Sequence, residues 1–273
     1  MKTISPIKFI LATFFFTWTL FSIVIFSGQS NQDFPAMLLY ILGGCAPSLV
    51  AIFFVWRNFN KEQSREFWSR VISPRNIKPV WLVVSLVVIP VVMGLAVWLN
   101  SNLFDVMPGL EIFNNLKTQP AEIPIFIIMM LIGGPLAEEL GWRGLLLDAF
   151  QKKWTPVISS IILFLIWWIW HLPLFFIPGT SHNNWGLFTN MFWLFAMNVF
   201  LLTILMTLAY NANQRSVLIT ILIHFSYNVT LSLLTPFTTQ TFAFITSFLA
   251  LLVGSVWIVQ RVTMIKNKQT GNS

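Results

Sequence analysis

A chain of 273 residues that is 56% hydrophobic and 9% charged, with 27 Phe and 13 Trp, is not a soluble globular protein, since such domains carry about 25% charged residues. Its formal net charge of +7 is not read as nucleic-acid binding, because membrane proteins collect Lys and Arg in cytoplasmic loops and beside anionic lipid. A single cysteine, Cys45, excludes an intramolecular disulfide and reads as a small packing residue within Gly43-Gly44-Cys45-Ala46.

A transmembrane helix needs about 20 apolar residues. On that ruler eight spans are expected, at residues 6–27, 34–56, 79–99, 122–150, 156–177, 187–209, 215–233 and 237–260. The first run follows Lys2 and Lys8, as a signal peptide would, but it is long and lacks a small-x-small cleavage site; a retained helix is expected. Residues 57–78 carry Arg57, Lys61, Arg65, Arg70, Arg75 and Lys78, which places them on the cytoplasmic side. Within them, residues 61–71 suit a short interfacial helix that dips Phe67, Trp68 and Val71 into the headgroups and stops at Ser73-Pro74. The connection 100–121, with Pro108, Gly109, Pro120 and the lone basic Lys117, reads as external.

Lys152, Lys153, Arg215, Arg261, Lys266 and Lys268 fall on the same side as residues 57–78 if both termini are cytoplasmic. Residues 266–273 form a polar tail expected to be disordered. No nucleotide loop or internal repeat is evident. The expected fold is therefore all-α, a polytopic membrane bundle of about eight helices. It divides into N-terminal helices at 1–121, a polar-bearing core at 122–234, and a last helix with its tail at 235–273.

Carboxylates are scarce, nine in all, yet two stand together in Glu138-Glu139-Leu140-Gly141-Trp142-Arg143, after a break at Gly133-Gly134-Pro135. An ionisable group at membrane depth costs roughly 2.5–3.5 kcal/mol on insertion scales, so such a cluster is a functional-site candidate by default. Two other spans carry comparable groups: His171 in Trp167-Trp168-Ile169-Trp170-His171, and His224 with Asn228 in His224-Phe225-Ser226-Tyr227-Asn228. Depth tests whether they can meet. Glu138 precedes the Lys152–Pro156 hairpin by 14 residues and His171 follows it by 15, or about 21–23 Å of helix each at 1.5 Å per residue. His224 and Asn228 lie nine and 13 residues past Arg215, about 14 and 20 Å. The depths agree if the fourth, fifth and seventh spans pack together.

Spacing within each helix assigns faces. Glu139 and Arg143 are four apart and can pair, acid before base, while Glu138 is rotated by about 100° and points elsewhere. His224 and Asn228 share a face for the same reason. Gly133, Gly134, Gly141 and Gly144 leave room for close helix approach. Pro135 frees backbone carbonyls that protein or cavity water must satisfy. A glutamate near histidines in an apolar site that admits water is the equipment for activating that water. Glu138 is the candidate general base; His171, His224 and Asn228 are candidates to orient the water, stabilise an oxyanion or ligate a metal. No His-Glu-x-x-His signature is present, but Glu138, His171 and His224 would suffice for a zinc ion with an open position. His182, in the external loop 179–185, is given no role. Trp167, Trp168 and Trp170 read mainly as packing or interfacial belt, with Trp167 alone a candidate for the substrate path.

The ordered set Glu138-Glu139-x-x-x-Arg143, Trp167-x-x-x-His171 and His224-x-x-x-Asn228 resembles the motifs of the CPBP (Abi) intramembrane proteases, which include type II CAAX prenyl endopeptidases and bacteriocin-immunity proteins. The resemblance implies that Glu138 activates a hydrolytic water, that Glu139 and Arg143 support it, and that His171, His224 and Asn228 complete the site. It implies a catalytic core at 122–234 and a peptide or membrane-protein substrate, CAAX-like at its C-terminus. A compact eight-span chain without a targeting sequence or tail domain is expected in a bacterial plasma membrane rather than the endoplasmic reticulum. The family's usual Phe before the first histidine is Trp167 here, which bears on pocket shape more than chemistry. Zinc and metal-free glutamate mechanisms both fit the family. Two other readings compete: a non-enzymatic immunity or scaffold protein held together by the polar cluster, and a small transporter. The single copy of the motif counts against the transporter.

Overall fold

The structure, a computed structural model, describes residues 5–105, 109–234 and 237–269; Lys2, Pro108 and the end of the tail, 270–273, lie outside them. Within these limits every regular element is helical. In chain order they are α1 (Pro6–Ser27), α2 (Ala36–Gly44), α3 (Ala46–Asn58), α4 (Lys61–Ile72), α5 (Pro79–Phe104), α6 (Glu111–Thr118) and α7 (Pro120–Gln151). Then follow α8 (Pro156–Trp170), α9 (Ser181–Trp185), α10 (Asn190–Ala212), α11 (Val217–Leu233) and α12 (Thr239–Gln269).

Helix starts follow local chemistry. Pro stands in the first turn of α1, α3, α5, α7 and α8, where its missing N–H is no loss. Thr155, Thr189 and Ser216 accept a hydrogen bond from the backbone N–H three residues on, capping α8, α10 and α11. Asn60 and Gln63 form a reciprocal capping box at α4, the interfacial helix expected from residues 61–71.

Among the described residues six helices are long and apolar enough to cross a membrane: α1, α5, α7, α8 with its 3₁₀ extension to Phe176, α10 and α12 to Thr263. The chain is thus an integral membrane protein in its build. The second expected span is present as α2 and α3, bent by 54° at Cys45. The seventh is α11, 17 residues long, about 25 Å at 1.5 Å per residue and so shorter than a bilayer core. It can be short because its neighbours are protein: α4, α5, α7 and α10 surround it. Every expected span has a helical counterpart. Three details differ from expectation, the first being that the expected loop 179–185 contains the helix α9. The connection 100–121 contains a helix of its own, α6, and α12 continues to Gln269, so the first part of the polar tail is helical.

Between helices, buried polar pairs act as local fasteners. Asn198 Nδ2 donates to Thr246 Oγ1 and Tyr227 donates to Asn198, tying α10 to α12 and α11. Asn100 donates to Thr241 across α5 and α12, and Trp170 Nε1 donates to Thr17, joining α8 to α1. In a bilayer such bonds are worth about 0.6–2 kcal/mol each. At the end of α7, Asp148 pairs with Arg70 of α4 at 3.5 Å, with Lys152 at 3.3 Å and with Arg215, and accepts from Tyr210 at the end of α10. This clamp fastens the interfacial helix to the span that carries Glu138.

Glycine sets how closely α7 meets α3. A Cβ at Gly141 would stand 2.5 Å from the Pro47 carbonyl oxygen, whereas at Gly94 in α5 it would meet nothing within 4 Å. Gly141→Ala is therefore expected to destabilise the protein by about 1–3 kcal/mol, and Gly94→Ala to leave it unchanged or slightly steadier. Thermal unfolding in detergent compares the two; equal melting would contradict this packing.

Candidate active site

The site grows from an irregular helix. Within α7 a short α-helical stretch, Ala137–Gly141, sits between two π-helical stretches, Ile132–Leu136 and Trp142–Leu147. Pro135 inside the first has no N–H for the ladder, and wide turns of this kind are often found at functional sites. The loosened ladder has identifiable partners: Arg70 Nη2 donates to the Gly144 carbonyl at 3.3 Å. The irregular run turns a full helix face, Ala137 to Leu147, into the protein interior.

All the charged residues expected at the site are enclosed. Glu138 is 7% exposed, Glu139 and Arg143 0%, His171 9% and His224 5%, so Glu138 does not sit at the membrane surface. Glu139 and Arg143 form the expected pair, Arg143 Nη1 donating to Oε1 at 2.9 Å. The same Oε1 lies 2.8 Å from His224 Nδ1. A carboxylate can only accept, so His224 donates from Nδ1 and directs Nε2 the other way. Glu139 thus has a second role that spacing did not reveal: it orients His224 across from α11.

Glu138 points elsewhere, as its rotation requires. Its Oε2 accepts a short hydrogen bond from Trp167 Nε1. Trp167 also lies under the Arg143 guanidinium, 4.2 Å from ring centroid to carbon, a cation–π geometry. The rings of His171 and His224 stand 5.6 and 5.5 Å from the Trp167 ring. His171 Nδ1 lies 2.7 Å from the Trp167 carbonyl oxygen, so the hydrogen is on Nδ1 and a neutral ring offers its lone pair at Nε2. Asn228 completes the group. A Cβ at Gly134 would lie 2.8 Å from Asn228 Nδ2 and 3.5 Å from His224 Nε2. Gly134 therefore lets both side chains approach the backbone of α7.

The structure brings all six expected residues to one place, but around a seventh. Trp167 touches or bonds Glu138, Arg143, His171 and His224, and its reading as packing or path lining missed this role. Its four-residue spacing to His171 was the available signal. His182 was also passed over. Its ring lies 6.2 Å from that of His171 at 25° between planes, and burial pushes its imidazole down to about 3, so it is neutral at ordinary pH. Among the described residues no three His, Cys, Asp or Glu side chains are grouped so as to hold a metal. Two of the three residues weighed as zinc ligands, Glu138 and His224, are engaged with Trp167 and Glu139.

Chemically this is a buried carboxylate with one tethered oxygen, two imidazoles each held at Nδ1, and an amide that approaches α7 at Gly134. Residues 120–230 match the family described as type II CAAX prenyl endopeptidase Rce1-like. The chain is also similar to "CAAX prenyl protease 2" of Methanococcus maripaludis, 25% identical over 235 residues that cover 84% of this chain and 85% of that protein.

The Glu139–Arg143 pair makes a stability prediction. Arg143 Nε and Nη2 and Glu139 Oε2 are enclosed with no hydrogen-bond partner among the described residues, so the pair is not arranged for maximal stability. Removing one partner strands the other charge. Arg143→Met or Glu139→Gln alone is expected to cost about 3–5 kcal/mol, and the double variant clearly less than the sum. Melting of the three variants in detergent measures this coupling; additive losses would contradict it.

Proposed function

We propose that the chain is a CPBP-family, CAAX-type intramembrane endopeptidase that hydrolyses a peptide bond near the C-terminus of membrane-associated substrates. The observation that carries this reading is the environment of Glu138: a carboxylate 7% exposed, fixed through one oxygen by Trp167, beside two imidazoles whose Nδ1 atoms are already committed. A general base must be placed before its basicity matters.

In the proposed reaction Glu138 takes a proton from water, and the oxygen attacks the scissile carbonyl. His171 Nε2 accepts the second water hydrogen and so aligns the nucleophile. The carbonyl oxygen gathers negative charge, for which the Asn228 amide is the donor at hand. The Glu139 carboxylate accepts from His224 Nδ1 and fixes that ring beside the site, the part a carboxylate plays behind a histidine in hydrolytic triads. Glu138 then gives its proton to the leaving amine as the C–N bond breaks, leaving a free amine and a carboxylic acid that loses its proton to solvent. Every proton step up to bond cleavage uses a side chain already in place. We place the protein in a bacterial plasma membrane, a location that fractionation of its native host would check.

A glutamate mechanism needs no metal, and none is built into these steps. Purified protein incubated with a quenched CAAX-like peptide is expected to cleave it, and Glu138→Gln to lower the rate by about 10²–10⁴ with melting unchanged. A non-enzymatic scaffold would keep its biological effect in that variant. Exhaustive chelation is expected to leave cleavage intact; loss of activity restored by added zinc would overturn the metal-free reading.

A further inference from the structure

His182 has no part in the reaction above, yet it occupies a costly position beside it. It lies on α9, a five-residue helix in the segment that follows His171. Phe175, Trp185 and Phe195 pack around its ring at 5.3, 4.9 and 4.6 Å, and Phe195 also meets His171 at 5.3 Å. Phenylalanine would fill such an aromatic box with no polar edge to desolvate. Instead His182 Nε2 is enclosed with no hydrogen-bond partner among the described residues, a condition that is disfavoured in native structures and calls for a reason.

The segment that carries it is tied down by side-chain hydrogen bonds and bounded by two glycines. Thr180 Oγ1 donates to the Leu174 and Ile177 carbonyls, and Asn183 Nδ2 donates to the Phe175 carbonyl. On either side of α9, Gly179 at φ +86 and Gly186 at φ +77 adopt left-handed backbone that side chains other than glycine resist. Rigid short pieces between glycine hinges are how active-site covers are commonly made.

We propose that His182 is a substrate-binding residue carried on a hinged cover, residues 179–186. When peptide occupies the site beside His171, the cover shifts and the enclosed Nε2 pairs with a backbone polar group of the peptide. This rests on the peptide-cleaving function proposed above and extends it to a residue outside the three motifs. Hydrogen bonds of this kind are often unmade before substrate arrives.

The test uses the full-length protein in detergent, in a Glu138→Gln background so that peptide is not consumed, with a fluorescent CAAX-like peptide as probe. His182→Phe keeps the aromatic box and removes both nitrogens. It is expected to weaken peptide affinity about threefold to tenfold while melting stays equal or rises, and His182→Gln to recover part of the affinity. Equal affinity for His182 and His182→Phe, including none in either, overturns the proposal. If the affinity difference is found but wild type never cleaves the peptide, the hydrolase reading fails and the binding role of His182 stands.

Discussion

Placing two carboxylates and a guanidinium inside an apolar bundle is the constraint around which this protein is built. Charge in low dielectric must be paired, bonded or removed, and here a single indole does much of the pairing. Trp167 gives its N–H to Glu138 and its π-face to Arg143, so one charge is held at the edge of a rigid plane and the other over its face. Because Trp167 and His171 are four residues apart, the same residue whose side chain separates the charges also locates the first imidazole, whose Nδ1 bonds the Trp167 backbone carbonyl. Glu139 does the corresponding work on the other side, joining Arg143 to His224 through one oxygen.

That arrangement asks more of the backbone than a regular helix can give. On a regular helix, Glu138, Glu139 and Arg143 would be presented at fixed 100° steps. Two π-helical stretches on either side of Ala137–Gly141 change those steps and face the whole segment inward. The cost is a loosened hydrogen-bond ladder, offset where a donor is available, as with Arg70 at the Gly144 carbonyl. Close approach then depends on side chains that are absent: Gly134 admits Asn228 and His224, Gly141 admits the Pro47 backbone, and Gly144 lies against Phe67. The clamp around Asp148 ties this irregular helix to α4 and α10 at its far end, so an element weakened in the middle is anchored where it leaves the bundle.

Much of this was legible in the sequence because membranes make it so. Hydrocarbon permits only long apolar helices, so the spans could be counted, and the rarity of charge made Glu138, Glu139, Arg143, His171 and His224 conspicuous. Helical periodicity gave the Glu139–Arg143 pair and the shared face of His224 and Asn228. The bend at Cys45, the helix at Glu111–Thr118 and the helical start of the tail were not legible, since each depends on a neighbour or an interface rather than on local hydropathy.

The sequence by itself determined which residues are too polar for lipid, and roughly how deep each one lies, because rise per residue is fixed and the ends of the spans are marked by charge. Only the tertiary structure decided who holds whom. That Trp167 and not a histidine meets Glu138, that His224 turns its Nδ1 to Glu139, and that His182 of α9 reaches His171 are facts about contacts between helices. Such contacts follow from side-chain shape and helix rotation about the axis, and the irregular turns of α7 alter that rotation in a way that a regular spacing of residues does not encode.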